Sequence, residues 1–264
     1  MLKTRVISGL IGVVVVVIAV QIGGPLFAVG AAAVGMIAGW EFVRMMRAGG
    51  YSPDYVIPLA LIPLLVLDSY AGSLRLLSLI VSLGLLGALA VQLFRHTQHP
   101  TADWAMAVAG GLYIGWGMGH VVALRELADG IYLIWLTLLC TWASDTFAYF
   151  AGRAFGGRLV ERKLWPRHSP KKTWEGLFGG IAGSLVVAAL FAAFTPIGWG
   201  GAMLAGAIIP IAGLFGDLGI SQMKRDVGVK DSSNLFPGHG GFLDRIDSLL
   251  FISVVVYYLI VWAG

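Results

Sequence analysis

Apolar residues in this chain come in long unbroken blocks, not in alternation or in helical stripes. Nine such blocks can be marked, at 6–22, 24–43, 55–71, 74–94, 104–124, 131–152, 174–195, 200–220 and 247–263. At about 1.5 Å per helical residue they match the roughly 30 Å hydrocarbon core of a bilayer. The pattern therefore predicts an all-α, polytopic integral membrane protein with about nine transmembrane helices. Lys3 and Arg5 precede the first block, as in a signal peptide, but no small-residue cleavage site follows and eight further blocks do, so it reads as a retained helix. The connections differ in kind. Residues 23–25 and 196–199 are tight Gly/Pro turns, whereas 153–173 and 221–246 are long and polar. The chain is thus divided into residues 1–100, carrying helices one to four, and residues 101–264, which include both polar loops, where function is to be sought.

Composition agrees with a membrane protein. Of 264 residues, 58% are hydrophobic and 12% charged, about half the charged fraction of a soluble domain. That excludes an ordinary soluble globule, a disordered chain and a coiled coil. The lone cysteine, Cys140, excludes a disulfide framework. Charge placement gives an orientation. Sixteen of the eighteen Lys and Arg fall at the N-terminus or after blocks two, four, six and eight, and only Arg75 and Arg125 fall on the other side. The positive-inside rule then puts the N-terminus and both polar loops in the cytoplasm and the C-terminus outside. The expected location is the inner (cytoplasmic) membrane, multi-pass, with an active site facing the cytoplasm.

Carboxylates in or beside membrane spans are costly, which makes them candidates for function. Asp145 lies in block six, Asp217 near the end of block eight, and Asp244 and Asp247 at the start of block nine. All four fall at one leaflet, beside loops rich in Lys and Arg. Hard oxygen donors near cations suggest a divalent metal, Mg²⁺, with a phosphorylated ligand. A plainer arrangement pairs Asp145 with Arg153 and Asp244 with Lys224. If helix eight continues past residue 220, Asp217, Ser221 and Lys224 stand at i, i+4 and i+7 on one face. Gly216 and Gly219 beside them admit either a ligand or, more simply, a close neighbouring helix.

The segment Lys230-Asp231-Ser232-Ser233-Asn234-Leu235-Phe236-Pro237-Gly238-His239-Gly240-Gly241 leads into Phe242-Leu243-Asp244-Arg245-Ile246-Asp247. Its Pro-Gly-His-Gly-Gly run cannot be helical, and successive backbone N–H groups there can face an anion, as can the helix N-terminus that follows. His239 serves equally as a ligand group or as a residue that fixes the turn.

From Ser221 to Asp247, the run Ser-x-Met-Lys-Arg, Lys-Asp, Pro-Gly-His-Gly-Gly and Phe-x-Asp-Arg-Ile-Asp resembles the signature of the CDP-diacylglycerol synthase (phosphatidate cytidylyltransferase) family. Ser144-Asp145-Thr146-Phe147-Ala148-Tyr149 with Gly152-Arg153, and Ser169-Pro170-Lys171-Lys172-Thr173-x-Glu175-Gly176, are similar to it as well. The resemblance covers the C-terminal half. It implies cytidylyl transfer from CTP to phosphatidate, giving CDP-diacylglycerol and pyrophosphate, with Mg²⁺ required and a second cation allowed for. Asp217, Lys224 and Asp244 are then the expected catalytic residues. Asp217 and Asp244 are the expected metal ligands, with Asp145 and Asp247 behind them or at a second ion. Arg153, Ser169, Lys171, Lys172, Ser221, Arg225, Lys230, Asp231, His239 and Arg245 are expected to bind substrate. The expected partners are CTP, phosphatidate and the bilayer, with no nucleic acid, and a homodimer is admitted. Two other readings stay open: a cation- or proton-coupled transporter, and a CTP-dependent lipid kinase, which would need a base to activate a hydroxyl.

Overall fold

The structure, a computed structural model, describes residues 2–72, 76–167, 169–233, 235 and 240–263, with the backbone alone for 2–8 and 263. The described residues form nine helices: α1 (Leu2–Ile22), α2 (Gly24–Ala48), α3 (Val56–Tyr70), α4 (Leu77–Leu93), α5 (Pro100–Glu126), α6 (Gly130–Phe155), α7 (Trp174–Phe194), α8 (Trp199–Asp226) and α9 (Leu243–Ala263). Six of them, α2 and α5 to α9, are long and apolar enough to cross a membrane. Helices α3 and α4 are shorter, at 15 and 17 residues. The chain is a polytopic all-helical membrane protein, as its apolar blocks predict.

Packing divides the chain into two units. The first comprises Met1–Glu126 with Met223–Ile246, and the second Leu127–Gln222 with Asp247–Gly264. In the first unit α2, α3 and α5 all pack against one another, α3 and α5 most extensively. Gly111 and Gly115 of α5 let α3 come close: a Cβ on Gly111 would stand 2.8 Å from the Pro58 Cα, and one on Gly115 3.0 Å from the Ile62 Cα. Small residues permit such backbone approach in a bilayer, where lipid gives helices no hydrophobic drive to associate. Leu61, Leu65 and Ile80 form a core against which Leu112 and Trp116 pack.

In the second unit α6 and α7 make the main interface. Gly176, Gly179, Gly180 and Gly183 of α7 face α6. A Cβ on Gly180 would lie 2.9 Å from the Ser144 Oγ, and one on Gly176 3.1 Å from the Ala148 carbonyl oxygen. Thr173 caps α7, its Oγ1 accepting from the Gly176 N–H at 3.1 Å. Glu175 ties the preceding loop to this helix end: its Oε1 accepts from the N–H groups of Gly157, Leu159 and Val160 at 3.0–3.1 Å.

Several helix ends fall away from the hydropathy boundaries, and two of these lie beside candidate site residues. Helix α8 runs on to Asp226, and α9 opens at Leu243, not at residue 247. Hydropathy marks where hydrocarbon stops, whereas a helix stops where its end groups find other partners. The extension of α8 meets the condition under which Asp217, Ser221 and Lys224 share a face.

Candidate functional site

Within the second unit lies a cavity of about 670 Å³. Helix α6 supplies Asp145 and Arg153, the loop before α7 supplies Ser169, Lys171 and Lys172, and α8 supplies Asp217. These are six of the residues singled out from the sequence, drawn from three separate segments. Apolar side chains complete the lining, among them Leu177, Ile209, Leu214 and Ile252. An anionic headgroup on an aliphatic tail matches that combination of charge and oil.

The central contact is an ion pair. Lys172 Nζ stands 2.5 Å from Asp217 Oδ2, and the Ser221 hydroxyl donates to Asp217 Oδ1 at 3.0 Å. Ser221 is one turn beyond Asp217 on α8, so the helical spacing delivers this bond. The Arg153 guanidinium donates to the Tyr149 hydroxyl at 3.0 Å, one turn back on α6, where the plainer arrangement paired it with Asp145. Gly216 takes the packing role weighed for it: a Cβ there would lie 2.9 Å from the Ser248 Cα. Gly219, by contrast, faces open space. Asp247 accepts from the Ser248 N–H at 2.6 Å. The cavity also takes in Thr141, Ser144, Tyr149 and Ser248, which the sequence analysis did not single out as ligand groups.

A second constellation lies in the first unit. Lys224 Nζ is 2.6 Å from Asp244 Oδ1, and both side chains are about one-tenth exposed. This is the plainer pairing weighed for Asp244. Its other oxygen, Oδ2, accepts from the Ser232 N–H at 2.9 Å, the Ser232 hydroxyl at 3.0 Å and the Gly241 N–H at 3.0 Å. The last bond reaches back three residues from the first turn of α9, closing the helix start as a capping carboxylate does. Arg225 donates to the Val229 carbonyl at 3.0 Å, and Lys230 and Asp231 are exposed. Arg245 sits in the first turn of α9. His239 lies outside the described residues.

Among the described residues, three of the amides expected to face a ligand anion are engaged within the protein, those of Gly241, Phe242 and Leu243. Gly241 N–H goes to Asp244, and the N–H groups of Phe242 and Leu243 go to the carboxylate of Glu41, at 3.0 and 2.8 Å. Glu41 is fully buried in α2. It too went unnoticed in the sequence, because one acid near the end of an apolar block carries no spacing signal.

The donor set suits Mg²⁺. Hard carboxylate oxygens are present, and Mg²⁺ is often held by one or two carboxylates with substrate phosphates filling the rest of its shell. Among the described residues no three His, Cys, Asp or Glu converge, so phosphate oxygens would have to complete the shell. Each expected ligand carries an ammonium at close range, Lys172 on Asp217 and Lys224 on Asp244, where a cation is wanted.

Comparison with known proteins supplies the context. The model for the family described as "Cytidylyltransferase family" matches residues 3–263. The chain is 32% identical over 267 residues to a phosphatidate cytidylyltransferase of Bacillus subtilis (strain 168), covering 98% of this chain and 97% of that one. It is 33% identical over 291 residues to a phosphatidate cytidylyltransferase of Pseudomonas aeruginosa (strain PAO1), covering 100% and 98%. A Haemophilus influenzae phosphatidate cytidylyltransferase is 48% identical over 127 residues, 46% of this chain and 42% of that one.

Proposed function

The chain belongs to the cytidylyltransferase family, and from that premise we propose that it is a phosphatidate cytidylyltransferase, making CDP-diacylglycerol and pyrophosphate from CTP and phosphatidate. The observation that carries this reading is the cavity whose lining includes Arg153, Lys171, Lys172, Asp145 and Asp217 together with apolar side chains. A phosphate monoester on two acyl chains has the same division of character.

The phosphatidate phosphate attacks the α-phosphorus of CTP. A bond forms between a phosphatidate oxygen and that phosphorus, the bond from it to the α,β-bridging oxygen breaks, and pyrophosphate leaves. A monoester with a second pKa near 6 is already largely ionised, so alignment and charge neutralisation matter more than proton removal. Lys171, Lys172 and Arg153 hold and orient the lipid phosphate. Lys224, Arg225 and Lys230 are assigned to the triphosphate and to the charge that gathers on the departing pyrophosphate. Mg²⁺, held through Asp217 and Asp244 with Asp145 and Asp247 in support, would neutralise phosphate charge and polarise the reacting phosphorus. When substrate enters, the ammonium groups now on Asp217 and Asp244 become available to phosphate oxygens.

The active site is assigned to the cytoplasmic side of the inner membrane, which the distribution of Lys and Arg supports. The transporter reading would be favoured by helices broken at the midplane, whereas α8 runs unbroken from Trp199 to Asp226 through Pro210. The test is direct: purified protein, Mg²⁺, labelled CTP and phosphatidate, with ATP as comparator. Lipid-dependent label from CTP supports the reading, and equal use of ATP argues against it.

A further inference from the structure

Glu41 is a carboxylate with no access to solvent, 0% exposed, near the end of α2. A buried charge is tolerated only where donors surround it, and among the described residues the donors to Glu41 come from the segment that leads into and opens α9. Its Oε1 accepts from the Ser233 hydroxyl at 2.5 Å and the Phe242 N–H at 3.0 Å. Its Oε2 accepts from the Leu243 N–H at 2.8 Å, with the Ser232 hydroxyl 3.3 Å away. The Ser232 hydroxyl has one proton and lies closer to Asp244, at 3.0 Å, so it donates to Asp244 and stands beside Glu41. Gly241 sits against this junction, and a Cβ there would meet both the Ser232 hydroxyl and the Glu41 carboxylate. The helix start that carries Asp244, and through it Lys224, is thus seated on a side chain nearly two hundred residues earlier.

We propose that Glu41 is a positioning residue for the reaction: it holds Ser233 and the first amides of α9 so that Asp244 and Lys224 keep their working geometry, without itself touching substrate. The inference rests on the reading of Lys224 and Asp244 as part of the cytidylyl-transfer machinery. Glutamine cannot replace glutamate here, because either orientation of its amide sets an NH₂ against the N–H of Phe242 or of Leu243. The loss should therefore appear in kcat with Glu41→Gln, a change that hardly alters volume.

The test is a mutant cycle on the full chain in lipid nanodiscs, with kcat per folded molecule, both KM values and the melting temperature measured together. Glu41→Gln should lower kcat about 30-fold or more and change each KM less than about threefold, since hydrogen bonds to charged groups are worth that much. In an Asp244→Asn background the same substitution should cost less than about threefold, because residues that act as a unit are not additive. An active wild type with unchanged kcat in Glu41→Gln, or a lower melting temperature with unchanged kcat, overturns the proposal alone. A wild type that does not transfer from CTP to phosphatidate overturns the functional reading and this proposal with it. If Glu41→Gln does not fold, Ser233→Ala decides the matter. About a fivefold or greater loss of kcat is then expected, and an unchanged kcat overturns the proposal.

Discussion

Lys172 and Asp217 form an ion pair at 2.5 Å between the loop ahead of α7 and the body of α8. From the sequence, Lys172 was expected to bind substrate and Asp217 to hold a metal. Their contact ties the two segments together and balances one charge against the other.

The two neighbouring lysines should therefore behave differently. Lys171→Ala should raise the apparent KM for phosphatidate about tenfold and leave the KM for CTP within about twofold. Lys172→Ala should do the same and also lower kcat, because Asp217 loses its partner. Steady-state kinetics with each substrate varied separately checks this, and equal damage to both substrates would point to loop folding instead.

Carboxylate replacement is the sharper probe of charge neutralisation. Asp217→Asn and Asp244→Asn should each reduce turnover about 10³-fold or more, the scale of several kcal/mol of transition-state stabilisation. Chelation of divalent ions should abolish wild-type activity, and added Mg²⁺ should restore it. Near-normal turnover of both variants at saturating Mg²⁺ would show that these acids hold no essential metal.

The α6–α7 interface predicts a stability effect apart from chemistry. Gly180→Val places its Cβ 2.9 Å from the Ser144 Oγ and 3.1 Å from the Ser144 carbonyl oxygen. Overpacking of that kind costs about 1–3 kcal/mol. Gly30 of α2 has nothing within 4 Å of its Cβ position, so Gly30→Val is the control. Thermal melts in nanodiscs should fall for the first and hold for the second.

Much of this architecture was legible because apolar blocks of about a bilayer's hydrocarbon thickness leave a chain few alternatives. Blocks one to nine each fall on a helix, α1 to α9 in order. What escaped was where helices end on the polar side. Asp244 closes the start of α9 on Gly241, and Glu41 takes the next two amides, and neither bond leaves a trace in hydropathy. The cavity acids and cations were legible as types, since charge near a membrane span is rare. Their partners were not. Asp217 finds Lys172 from another segment, and Glu41 bonds residues 191 to 202 positions away. Such pairings belong to tertiary packing and leave no local pattern.

The charge distribution makes a topological prediction. A reporter that works only in the cytoplasm should be silent when fused after residue 264 and active when placed in the 153–173 loop. The opposite pattern would reverse the orientation assigned from Lys and Arg.

The site of CTP cleavage tests the central claim. With CTP labelled at the α-phosphorus, label should enter the lipid phase only when phosphatidate and Mg²⁺ are both present, with pyrophosphate released in a 1:1 ratio. Diacylglycerol should not substitute, because it lacks the nucleophilic phosphate. Label passing to lipid from γ-labelled but not α-labelled CTP would make the protein a kinase, and no label from either would contradict the enzymatic account altogether.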